Sequence, residues 1–454
     1  MNLAPYVVGQ DGPFGPAQAA YLLRRAGFGA TLAERDEAVR NGLPATVAAQ
    51  FTLDEGRSAT QFAASGVQAA EQCSGSEKLG EELPPLQGAW LGRMVATRAP
   101  LAEKLALFWH GHFATSIDKV QLGVAMWRQY ELLRAQGAGR FALLVDAVAR
   151  DPAMLHWLDG NSNEKTAPNE NFARELFELF TLGIGHYSEH DIREAARCFT
   201  GWHLKAGRYW RNERAHDPGR KRVLGRDGLE DGAEVVAVAA EQPACARFVA
   251  SKLLRAFVTD SPDDASVEEV AAALREEQLD IGATLRRLFA SRLFFAPHHR
   301  RARIAGPVEW AVGLLRRVGG RAKWSALGGA LAEMGQSLFQ PPNVKGWDGG
   351  RAWISSRTLL ARGRFAAEFA YGGGFVVAVD WERIAGDTIA GDGIAKNGGA
   401  LVATLADVLL DGQIEASTRA RLVAFADSAE GGSGAERAMR VAQLLVSAPE
   451  ALLQ

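Results

Sequence analysis

Cysteine is scarce: three in 454 residues. Cys73, Cys198 and Cys245 form no CxxC pair, no haem-attachment CxxCH and no spaced framework. A thiolate metal cage, a dithiol redox centre and a disulfide-stapled scaffold are therefore excluded. Charge of one sign is also lacking. The formal net charge is −2, so no global basic field advertises nucleic acid or an anionic membrane. No zinc-finger, RRM or helix-turn-helix signature upgrades the local basic runs Arg24-Arg25, Arg208–Arg226 and His298–Arg303, which read as solvated surface. No stretch of about eighteen uninterrupted apolar residues offers a membrane span. The N-terminal MNLAPYVVGQDGPFG has neither a basic n-region nor a long apolar h-region. The expectation is a soluble, cytoplasmic protein, with export by another route left open.

What is present is ordinary globular material, 47% hydrophobic and 23% charged, on a chain long enough for two or three packed units. Helical periodicity dominates. Helices are expected at 17–26 (stopped by Gly27), 32–41, 45–50, 86–98, 101–113, 124–136, 141–150, 246–258, 267–276, 281–290, 308–318 and 355–371. Residues 53–85 read as a polar loop with fragments of helix. Residues 205–235 read as an irregular or β-hairpin excursion, with a second short strand near 374–380. The fold class is thus mainly α, a multi-helix globular fold. A main helical domain would span 1–371, followed by a Gly-rich connection at 372–400 and a C-terminal helical unit at 401–454 packed on the main domain.

The stretch from Asp151 to Trp202 carries the densest chemistry. A helix is expected from about Asn169 to Leu182. Asn171, Glu175 and Glu178 follow i, i+4, i+7 and share a face beside an apolar stripe of Phe172, Leu176, Leu179 and Phe180. Acids next to a buried surface are costly unless they hold a cation or pair with donors. Arg174 can pair with Glu170 and Glu178, the ordinary salt-bridged alternative. Asp159, Asn161, Asn163 and Glu170 have EF-hand-like spacing, but Glu164, Lys165 and Pro168 break that pattern, which leaves turn and helix-cap roles. Ser188 and Asp191 read as a capping box for a helix over Glu189–Thr200.

Three other segments add polar groups. His112 continues the stripe Leu101, Leu105, Phe108, while His110 is rotated from it by about 200°. Both could meet one metal only if the helix breaks at Gly111. His216-Asp217-Pro218-Gly219 is a turn by composition. Pro341–Gly350 is a constrained loop carrying Asn343, Lys345 and Trp347, a pocket wall or a structural plug.

FWHGHF, DGNSNEKTAPNENFARELFELFTLG with the later FTGW, HDPGRKRVLG, FVASKLLRAFV and PPNVKGWDGGRAWISSRTLLAR together resemble the bacterial domain-of-unknown-function 1800 family. The motif order matches, from the LLRRAGFG segment at Leu22 almost to the C-terminus. The resemblance implies kinship and no transferable activity. Members are often encoded beside a sulfatase-like family, which makes such a protein a candidate partner and hints at shared processing or export. The family usually has Asn between the two histidines, where this chain has Gly111, so no role for that side chain carries over.

Two function classes follow. In the first, a metal-assisted, hydrolase-like enzyme, Glu175, Glu178, His112 and His110 are the metal-ligand candidates. Mg²⁺, Ca²⁺ or Mn²⁺ would suit the oxygen donors, and Fe²⁺ or Zn²⁺ the added imidazole. Glu175, Glu178, His112, Arg174 and Lys345 are its catalytic candidates, with Arg174 and Lys345 holding an anionic substrate. Asn171, Asn343, Trp347, His216 and Asp217 would bind substrate. In the second, a helical scaffold or partner-binding protein, the same groups form a buried structural network. The spread of polar motifs over separated segments favours the enzyme by a small margin.

Overall fold

A computed structural model describes residues 2–74, 78–389, 398–428 and 434–454. Among them are 22 α-helices and three two-stranded antiparallel ribbons, a mainly α fold. Two ribbons, Trp202–Lys205 with Arg208–Arg211 and Lys221–Val223 with Arg226–Leu229, occupy the region expected to depart from helix. The third pairs Arg321–Ala322 with Val376–Ala378, at the later strand. No helix among the described residues is long and apolar enough to cross a membrane.

Local signals explain most boundaries. The first long helix, Pro16–Ala26, ends at Gly27, whose N–H closes on the Leu23 carbonyl. The helix Leu32–Ala49 kinks at Gly42 (φ 78°), which yields the two shorter helices that the pattern predicts. Ser188 and Asp191 form the reciprocal capping box: each side chain accepts the other residue's backbone N–H, at 3.2 and 2.9 Å, and opens Glu189–Cys198.

The segment 53–85 departs from the loop expectation. Arg57–Gln72 and Leu79–Ala96 are long helices packed on each other. The glycines read as breakers serve close approach here. A Cβ on Gly66 would lie 2.1 Å from the Trp127 ring, and one on Gly92 would lie 2.3 Å from Phe62.

The expected helix over 169–182 is also modified. An α-helical turn, Asn171–Glu175, passes into a π-helical stretch, Leu176–Thr181. The Leu182 N–H reaches back to the Phe177 carbonyl at 2.9 Å, and Thr181 Oγ1 donates to the Leu176 carbonyl at 2.5 Å. A π turn takes more residues than an α turn, so a 100° step no longer relates Glu178 to Glu175.

The core forms two clusters. One runs from Leu3 to Phe295; the other joins Leu86, Trp90, Val312, Phe365, Leu405 and Val441. Helices at 398–410 and 434–447 thus share a core with elements from the first 371 residues. The Gly-rich connection expected at 372–400 lies in part outside the described residues. The helix Pro100–His112 lies between the clusters. It gives Leu101, Leu105 and Trp109 to the first and Ala106 and Leu107 to the second. Its remaining stripe, Lys104, Phe108 and Gly111, follows i, i+4, i+7 and opens on a cleft.

Candidate functional site

The cleft measures about 660 Å³ and continues into an inner recess of about 150 Å³. Phe108, Gly111, Trp347 and Trp353 line both. The Pro341–Trp353 loop makes one wall. It is shaped by Asn343, whose Oδ1 accepts the Lys345 N–H at 2.9 Å. It seats tightly on the helix: a Cβ on Gly346, at φ 77°, would stand 2.0 Å from the Gly111 carbonyl oxygen. A Cβ on Gly111 itself would meet only Trp347, at 3.8 Å.

Charge sets this cleft apart. Lys252, Arg255, Arg301, Arg303, Lys345 and Arg351 line it, against Asp260 and Asp348. Six cations and two acids give a local formal charge of +4 on a chain whose total is −2. Arg303 is committed to Glu309 through two bonds of 2.8 and 3.0 Å, and Arg301 pairs with Glu415 at 3.4 Å. Lys252, Arg255, Lys345 and Arg351 have no ion-pair partner among the described residues. Lys252, half-buried with its Nζ 4.9 Å from the Phe248 ring centroid, is pulled down to about 8 by burial and then by the Arg255 charge.

His112 forms part of the cleft wall while 4% exposed. Its Nε2 lies 3.0 Å from the Phe180 carbonyl at the end of the π-helical stretch. A carbonyl only accepts, so Nε2 carries the proton. Nδ1 then bears the lone pair, and it is buried with no hydrogen-bond partner. Burial, and then the charge of Lys252, hold the imidazole well below its usual range, so it is neutral at pH 7.

The recess is lined by a buried ion cluster. Lys104 Nζ touches Glu309 at 2.5 Å, and Glu309 also takes the Arg303 guanidinium. Burial would raise the Glu309 carboxyl, but Arg303 and Lys104 outweigh it and hold the group down at about 2. Burial is the larger effect on Lys104, which falls to about 8 despite Glu309.

The expected site residues separate into groups. His112, Lys345 and Trp347 meet in the cleft. Glu175 lies within electrostatic reach of it. Burial and then the Glu178 charge raise its carboxyl, while Arg174 and Lys345 lower it. Glu178 accepts a 3.0 Å bond from the Tyr187 hydroxyl. Arg174 is held by both oxygens of Glu189 at 2.8 Å and by Glu170 at 3.1 Å, outside the cleft lining. Asn171 is exposed, its amide 3.4 Å from Asp159. His216 Nδ1 donates to the Thr200 carbonyl at 2.8 Å, and Asp217 pairs with Arg197 at 2.7 Å. Those two brace the hairpin region rather than the cleft.

The histidine pair does not converge. The helix runs unbroken through Gly111 to His112, so the half-turn offset between the two rings persists. His110 Nε2 accepts the Phe339 N–H at 3.1 Å, on the side opposite the Phe180 carbonyl that His112 meets. Nor does a shell form elsewhere: among the described residues no three His, Cys, Asp or Glu side chains gather as metal ligands. The metal expectation for Glu175, Glu178, His112 and His110 therefore lacks support in the donor set. The EF-hand-like residues are likewise engaged: Asn163 donates to the Ala196 carbonyl, Asn161 accepts from the Leu204 N–H, and Asp159 pairs with Lys119.

Lys252, Arg255, Arg301, Arg303 and Arg351 were not singled out by the sequence. A signal existed. Lys252 and Arg255 sit three apart inside the apolar FVASKLLRAFV, and Arg301 and Arg303 belong to a basic run assigned to solvated surface.

Neither a curated protein nor a solved structure matches this chain. A family model described as "Protein of unknown function (DUF1800)" matches residues 21–453. With that match over nearly all of its length, the chain belongs to the DUF1800 family.

Proposed function

We propose that this protein is an enzyme that binds an anionic substrate in the cationic cleft and moves a proton through His112 Nδ1. The observation that carries this reading is the pairing of unneutralised cations with a buried, unpartnered imidazole nitrogen in one wall. Crowded like charges and an orphaned buried acceptor are both costly, and sites of function are where such costs are retained. An arriving anion offsets the field of Lys252, one of the two causes that depress His112. Binding thus raises the basicity of Nδ1 when substrate is present. Lys345, Arg255 and Arg351 position the anion, and Trp347 and Trp353 supply apolar walls. The scaffold role suits a different set of groups, including Arg174, His216 and Asp217, whose polar atoms are taken up by neighbours.

Inorganic pyrophosphate is the simplest probe. Thermal melts with increasing pyrophosphate should rise with ligand, by about 2.7 kcal/mol of added stability at one hundred times Kd. The Lys345→Ala/Arg351→Ala double variant alters two exposed side chains and should lose most of that rise while keeping the ligand-free melting temperature. A wild-type curve unmoved by pyrophosphate, inorganic phosphate and citrate would refute the reading.

A further inference from the structure

We infer that Lys252 is a covalent site: its amine forms an imine with a carbonyl compound that carries an anionic group. This rests on the anion-binding reading above and names the substrate class, an anionic aldehyde or ketone. Three observations support it. Lys252 lines the cleft without an ion-pair partner, unlike Lys104, which is held against Glu309. Its Nζ is withdrawn from water beside the Phe248 ring with Arg255 one helical turn away, and desolvation and a second cation both favour a free amine over the ammonium that the ring face alone would attract. The same Phe248 ring stands 6.2 Å from the His112 ring, so the amine and the imidazole, whose Nδ1 is unpartnered, both pack on one aromatic side chain.

The step balances without a redox partner. The Nζ lone pair forms the C–N bond as the carbonyl π pair moves to oxygen. The nitrogen gives up its two protons in turn, one to the alkoxide oxygen and one, carried by His112 Nδ1, to the hydroxyl as it departs. Loss of water leaves C=N, so amine plus carbonyl yields imine plus water. Arg255, Lys345 and Arg351 hold the anionic group, and the imine nitrogen, once protonated, becomes an electron sink for bonds next to the former carbonyl.

The test uses the full chain with pyridoxal 5′-phosphate as an anionic aldehyde. Borohydride reduces any imine to a stable secondary amine, and peptide mass spectrometry locates it. The expected result is one adduct at Lys252, formed about tenfold or more faster than at exposed lysines because more of its amine is unprotonated near neutral pH, and suppressed by inorganic phosphate. Lys252→Arg keeps the charge and cannot form the imine. It should lose the adduct and keep the phosphate-induced rise in melting temperature. Adducts at Lys345 or spread over exposed lysines with Lys252 unmodified, or a Lys252 adduct indifferent to phosphate, would overturn the inference. If phosphate still stabilises the protein in that case, only the covalent step falls; if it does not, the anion-binding reading falls with it.

Discussion

His110 should make this protein acid-sensitive in a way one substitution can isolate. The ring is 2% exposed and packs among Trp90, Phe339 and Trp347 at centroid distances of 5.4 to 5.7 Å. Nε2 accepts the Phe339 N–H, so protonating that nitrogen would break a buried bond as well as bury a charge. Burial pulls the imidazole from 6.5 to about 4. The unfolded chain therefore takes up a proton near pH 6.5 that the folded chain refuses until about pH 4. Above pH 6.5 both states are neutral and the group has no effect. As pH falls below 6.5 stability declines, and the decline is complete below the folded value. Linkage gives a loss of about 2 kcal/mol at pH 5 and about 3 kcal/mol below pH 4. His110→Gln offers a side-chain oxygen to the same N–H and does not titrate. Urea melts of both proteins between pH 8 and pH 5 should show the gap between wild type and variant shift by about 2 kcal/mol in favour of the variant. The comparison cancels the other titrating groups: His112 and His299 are depressed by burial and act in the same direction, while Asp151, pushed up to about 7 by burial, acts in the opposite one. A gap that stays constant across the range would show that His110 accepts a proton in the fold and would refute the reasoning.

The buried ion cluster and the π-helical stretch supply two further tests. Glu309→Gln leaves Lys104 and Arg303 without their shared carboxylate and should cost about 3–5 kcal/mol in denaturant melts; a loss under about 1 kcal/mol would mean that water reaches the cluster. Leu176→Ala removes a side chain with no exposure at the first residue of the π-helical stretch and should cost about 2–5 kcal/mol, with a loss below about half a kcal/mol in the same assay contradicting its central packing.

The sequence by itself determined the local structure. Apolar spacing, Gly27 and the Ser188–Asp191 pair placed most helices and their ends, since those preferences act within a few residues. It also put His110 and His112 on different sides of one helix and marked the Pro341–Gly350 loop as constrained. The tertiary structure decided what no short window contains. The helices at 57–72 and 79–96 depend on glycines packed against Trp127 and Phe62, contacts invisible along the chain. The π turn at Leu176–Thr181 replaced the α-helical spacing expected there, and the Phe180 carbonyl within it fixed the His112 proton on Nε2. Above all, the cleft gathers Lys252 and Arg255 from one helix, Arg301 and Arg303 from a basic run, and Lys345 and Arg351 from a loop. Lys345 alone among them is a site candidate in the sequence, and Arg301 and Arg303 read there as solvated surface. Only folding brings them around one cleft, where charges that the sequence spreads over a hundred residues stand close enough to act on one another and on a common ligand.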